Sequence, residues 1–93
     1  MTNDNDDKVD RTDTLLARIR NTVREYYVES GMTQKALARK TGIGAVPLNG
    51  IIKGRRCIYA DELVMLALEL GIPMNEFFGP ELWSKYERRV RRK

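Results

Sequence analysis

Residues 41–56 read TGIGAVPLNGIIKGRR, and the fold turns on whether this proline- and glycine-bearing stretch is a helix. Pro47 argues against one. If Gly44 is the N-cap, however, Pro47 falls in the first turn, where a backbone N–H has no intrahelical acceptor and its absence costs little. Gly54 then ends the element, which predicts a short helix over 45–53 with Leu48 and Ile51 on its inner side. The opposite sector holds Val46, Asn49, Gly50 and Lys53, with Ala45 at its margin. Just upstream, Gly42 supplies a tight or left-handed turn that few other residues tolerate.

Working back from that turn, Thr33 is a natural N-cap for a preceding helix from Gln34 to about Lys40, with Leu37 and Ala38 facing inward. Before it, Leu15, Leu16, Ile19, Val23, Tyr26 and Tyr27 fall on one side of a helix that Asp13 caps from Thr14 onward and Ser30-Gly31 ends. Working forward, 60–70 is so rich in Leu, Val and Ala that only Asp61, Glu62 and Glu69 mark a polar strip. The pattern predicts a helix central to the core or shared with a partner. Gly71 stops it, a short helix follows from Pro73 through Phe78, and Gly79-Pro80 is a boundary. There is no strand-like alternation and no repeat, so the chain reads as all-α.

Composition removes several function classes. The 93 residues make one small domain, with one cysteine, Cys57, and no histidine. An intramolecular disulfide, a Cys₂His₂ zinc site and Ser-His or Cys-His catalysis are therefore excluded. No phosphate loop or acid/base constellation is present, so neither an enzyme nor a cofactor is expected. The N-terminal MTNDNDDKVDRTD lacks the apolar core of a secretory signal, and LVMLALELGI is too short to span a bilayer. The expected setting is the cytoplasm, with no membrane partner. Residues 1–13 carry five acids against two bases, whereas 14–93 carry fifteen bases against eight acids. A basic body of this kind points to a polyanionic partner, of which nucleic acid is the commonest.

Two short helices joined by a glycine-containing turn form a helix-turn-helix. The ordered set GMTQKALARKTGI, then ten residues to GRR, then LxxLALELGIPMNEFF, resembles the Cro/phage-repressor-like (Xre) helix-turn-helix family over roughly residues 15–79. The resemblance implies a five-helix lambda-repressor-like domain over 13–79; residues 1–12, which lack apolar periodicity, read as a disordered acidic tail. A short basic amphipathic helix follows over 80–93. It implies that Thr33 and Gln34 meet a phosphate at a helix N-terminus, and that Lys53, Arg55 and Arg56 hold phosphates flanking the groove. The helix over 45–53 would enter the major groove of double-stranded DNA, with base contacts from Ala45, Val46, Asn49 and Gly50. Only Asn49 can pair bidentately with a base, most naturally adenine, while Ala45 and Val46 suit thymine methyls. Relatives often carry Glu where this chain has Ile52, paired with an arginine of the first helix. Tyr27 occupies the matching position here.

The functional expectation is a repressor that binds a palindromic operator as a homodimer. The competing expectation is a protein-interaction module, an antitoxin or antirepressor holding a partner through Leu82, Trp83, Tyr86 and Val90. Those four form an apolar stripe on 81–93, which reads as a dimerising or docking helix, a phosphate clamp or a frayed tail. A membrane-surface role is a further option for a basic amphipathic helix. Cys57 reads as a small buried hydrophobe rather than a redox switch activated by Arg55 and Arg56.

Overall fold

The computed structural model describes residues 4–91, with side chains from Thr14 onward. Six helices follow in order: α1 (Asp4–Ser30), α2 (Gln34–Thr41), α3 (Ala45–Lys53), α4 (Ala60–Leu70), α5 (Met74–Phe78) and α6 (Pro80–Arg91). No strand occurs among the described residues.

The interior is aliphatic. Val23, Leu37, Leu48 and Leu66 are fully enclosed, Ile43, Ile52, Ile72 and Phe77 close the cluster around them, and Ile51 is fully enclosed beside it. α1 lies against α3, α4 and α5, and α2 packs on both α3 and α4. α3 is thereby supported from both sides through its inner residues Leu48, Ile51 and Ile52. Among the described residues no buried side-chain nitrogen or oxygen lacks a hydrogen-bond partner.

The turns follow local chemistry. Thr33 Oγ1 accepts the Ala36 amide at 3.0 Å, capping α2. Gly42, at φ 79°, ends α2 and donates its N–H to the Ala38 carbonyl. The buried Thr41 hydroxyl donates to the Leu37 carbonyl at 2.8 Å and accepts the Ile43 amide at 3.3 Å, fixing the exit into α3. Gly44 N-caps α3, and a Cβ there would meet the Pro47 ring at 3.3 Å. Glycine and proline are therefore matched here, since a larger residue at 44 requires the Pro47 ring to shift by a few tenths of an ångström.

Three expectations need correction. α1 begins at Asp4, not at Thr14, so helical backbone runs through most of the expected disordered tail. Of the two expectations for α4 the first needs narrowing: Leu66 and Ala67 are buried, but Val64 and Leu68 stand well exposed, so the helix is not wholly enclosed by the core. Cys57 is exposed, not buried, because it lies in the loop between α3 and α4.

Candidate nucleic-acid interface

α3 presents a nearly apolar outer face. Val46 is 83% exposed, Ala45 and Lys53 are exposed, and Asn49 and Gly50 are half-buried. Its polar chemistry is concentrated in one chain of hydrogen bonds. Arg55 Nη2 donates to Asn49 Oδ1 at 2.9 Å, and Asn49 Nδ2 donates to Gln34 Oε1 at 3.0 Å. Arginine has donors only, so it dictates the direction of the whole relay. Asn49 must turn its oxygen to Arg55, hence its nitrogen to Gln34, which must answer with its oxygen. The Gln34 amide nitrogen, a donor, is the end left over. It belongs to the first residue of α2, beside backbone N–H groups that have no intrahelical acceptor.

Arg55 is placed by its backbone. Its N–H donates to the Gly50 carbonyl at 2.8 Å, and the Gly54 N–H to the Ile51 carbonyl at 3.1 Å, with Gly54 at φ 79°. This left-handed closure turns the chain back over the end of α3, so that the Arg55 side chain reaches Asn49 six residues earlier.

Arg56 is turned elsewhere. Its Nη1 and Nη2 donate to the two Glu62 carboxylate oxygens at 2.9 Å and 2.6 Å, and Nη1 also donates to the Cys57 carbonyl at 2.7 Å. Its guanidinium carbon lies 4.8 Å from the centre of the Tyr59 ring. Glu62 Oε1 accepts the Tyr59 amide at 2.9 Å as well, so one carboxylate fastens both the loop and the start of α4. The Arg56 hydrogen bonds, followed by that of Tyr59, hold the Glu62 carboxyl below its ordinary value, and the same pairing raises Arg56. Gly50 lies against this brace: a Cβ on it would meet Arg56 Cβ at 3.4 Å, ordinary van der Waals contact.

Of the residues expected to touch DNA, the fold brings Gln34, Asn49 and Arg55 together and leaves Ala45, Val46 and Lys53 open. The Thr33 oxygen serves the α2 cap, and Arg56 is committed to an ion pair. Two contributors were missed. One is Glu62, six residues from Arg56 and resembling an ordinary acid in a first helical turn. The other is Arg24 of α1, whose Nε and Nη2 donate to the Ile52 carbonyl at 3.2 Å and 2.9 Å. An arginine of α1 thus does tie down α3, through a carbonyl at the α3 C-terminus rather than a glutamate side chain. Tyr27 packs at the edge of the core.

A helix-turn-helix family model matches residues 23–77, more than half of the chain. The chain belongs to the helix-turn-helix family. The match spans the end of α1 through Phe77 of α5, and thus contains the whole Gln34–Asn49–Arg55 relay. No curated protein and no solved structure matches this helix-turn-helix chain. In general a helix-turn-helix domain binds DNA and serves regulation.

The C-terminal stripe of this domain lies beyond the matched residues. Trp83 stacks on Tyr86 with ring centres 5.3 Å apart, and both rings meet Phe78 of α5, at 5.1 Å and 5.0 Å. α6 therefore docks on α5, yet none of its residues is buried, and Leu82, Tyr86 and Val90 stay substantially exposed. Among the described residues no helix is long and apolar enough to cross a membrane, and no group of three or more Cys, Asp or Glu is placed to hold a metal ion.

Proposed function

We propose that this chain is a transcription repressor of phage or bacterial type, of the Cro/phage-repressor (Xre) kind, with α1–α5 as a lambda-repressor-like domain. It works in the cytoplasm on double-stranded DNA. A homodimer places two copies of α3 about 34 Å apart, in successive major grooves of a palindromic operator. The observation that carries this reading is the Asn49–Gln34 hydrogen bond. It locks the N-terminus of α2 to the outer face of α3, so a phosphate held by the first fixes the register of the second.

The roles follow from the donors. The Gln34 amide nitrogen and the first N–H groups of α2 hold one phosphate, with the Thr33 hydroxyl hydrogen beside them. Lys53 holds another. Arg56 contributes mainly by bracing the loop that carries Arg55. Ala45 and Val46 pack on thymine methyls, and DNA shape supplies selectivity at positions that no side chain touches. Selection of duplexes from a random pool, followed by titration across salt concentrations, tests this. A repressor enriches a two-fold symmetric site and binds it with a steep inverse dependence on salt. Failure to bind any duplex in low salt would contradict it.

A second reading rests on the exposed stripe of Leu82, Tyr86 and Val90. An antitoxin or antirepressor would use it to hold a toxin or another protein, with DNA binding secondary or lost. Co-purification of such a partner, released by Leu82→Asp, distinguishes this from self-association through the same helix.

A further inference from the structure

We propose that Arg55 is a base-reading side chain, directed at guanine by Asn49, and that Asn49 acts as its positioning residue rather than as an adenine reader. The proposal rests on the DNA-binding reading above and deepens it, because it assigns a base and a side chain.

The argument begins with what Asn49 has left. Bidentate pairing with adenine needs both halves of a carboxamide, the oxygen for the N6 amino group and the nitrogen for N7. In this fold the Asn49 oxygen accepts from Arg55 and its nitrogen donates to Gln34. Both halves are already engaged within the protein. Releasing Arg55 would give up a hydrogen bond to a charged donor, about twice as strong as a neutral one.

Arg55, by contrast, keeps its recognition chemistry. A guanidinium has five N–H donors, and Asn49 takes one hydrogen from Nη2. Whichever of the two Nη2 hydrogens is taken, one edge of the guanidinium still presents two parallel N–H bonds. Such an edge matches the O6 and N7 acceptors of guanine in the major groove. The side chain is exposed, and its hydrogen bond draws it back over the outer face of α3 instead of outward to the flanking backbone. The neighbouring arginine cannot substitute, because Arg56 is held by Glu62 on the far side of the loop. The α3 face, whose groups ahead of Lys53 are Ala45, Val46, the engaged Asn49 and a glycine, thus acquires a base-reading guanidinium from the residue two positions beyond its C-terminus.

The test uses the full chain and a duplex recovered from random-pool selection. The recovered site contains a guanine opposite the C-terminal half of α3. Replacing it with 7-deazaguanine, which lacks only the N7 acceptor, weakens wild-type binding roughly 5- to 100-fold. The same replacement changes binding of Arg55→Ala less than about two-fold, since the donor edge is already gone. Asn49→Ala, with Arg55 present but unheld, loses most of its discrimination at that guanine, so the 7-deazaguanine replacement weakens its binding far less than it weakens wild type. Arg55 is exposed, so unchanged thermal melting of both variants separates these losses from unfolding. The proposal is overturned if Arg55→Ala weakens selected and random duplexes equally, with a salt slope shallower by about 0.9 per contact, the signature of a phosphate contact alone. A wild-type chain that binds no duplex removes the DNA-binding reading and this inference with it, and is distinguishable because no variant is needed to see it.

Discussion

The α2–α3 unit and α6 are both short, both flanked by arginines, and attached to the rest of the molecule in opposite ways. α2 and α3 are closed at their ends by Thr33, Gly42, Gly44 and Gly54, and their inner residues are fully enclosed. α6 has no buried residue and meets the rest of the domain mainly through three aromatic rings. A surface meant to hold a fixed pose against DNA needs its supporting side chains locked before binding, because any ordering deferred to the complex subtracts from affinity. α2–α3 meets that requirement within one chain. α6 does not, and its half-exposed stripe is the part of the molecule suited to being completed by a second copy or by another protein.

This contrast is sharpest in the core. Leu48→Ala is expected to destabilise the domain by about 2–5 kcal/mol in urea unfolding, as a large-to-small change at a fully enclosed site. Leu82→Ala, on an exposed turn of α6, should cost under about 1 kcal/mol in dilute solution. Equal losses from the two would break the distinction. Removal of residues 81–93 should leave helicity of the remainder intact and shift any dimer to monomer in sedimentation. If neither sedimentation nor stability changes, α6 is not a docking element.

The α2 cap provides a smaller effect. Thr33→Ala removes the acceptor for the Ala36 amide and should cost about 1 kcal/mol, with Thr33→Ser restoring most of it. The brace beyond α3 gives a pH signature. Because pairing with Arg56 lowers the Glu62 carboxyl beneath its ordinary value of 4.5, its stabilising contribution is complete above that value. The contribution is lost as pH falls through the lower, folded-state value. Glu62→Gln should therefore be less stable than wild type at neutral pH, with the gap in melting temperature closing on acidification. A gap that stays constant with pH would remove the ion pair from the account.

Much of this architecture is legible in the chain itself, because helix boundaries are written in residues with one local job. Gly42 and Gly54 supply positive φ, Thr33 caps, and Pro47 fits only a first turn, so α2, α3 and α4 form close to where those residues place them. Apolar spacing also places Leu37, Leu48, Ile51 and Leu66 in the interior. What escapes sequence reading depends on direction. Arg55 and Arg56 are adjacent and chemically identical, yet one folds back on Asn49 and the other crosses to Glu62. No periodicity encodes that divergence, which follows from the left-handed closure at Gly54 and from the Glu62 carboxylate that takes Arg56. Arg24 was equally hidden, since its partner is a backbone carbonyl and carries no residue identity. The start of α1 escapes sequence reading for another reason: apolar spacing ends at Leu15, and the polar sequence before it carries no periodic signal.

The central claim is that α3 reads DNA through the relay Gln34–Asn49–Arg55, and one measurement tests it most directly. Wild type and Asn49→Ala are titrated against the selected duplex and a random duplex over a range of salt. The expected result is a loss of about 1–3 kcal/mol by Asn49→Ala on the selected duplex and a distinctly smaller one on the random duplex, where only the positioning of Gln34 is lost. Equal affinities of wild type and Asn49→Ala for the selected duplex would contradict it.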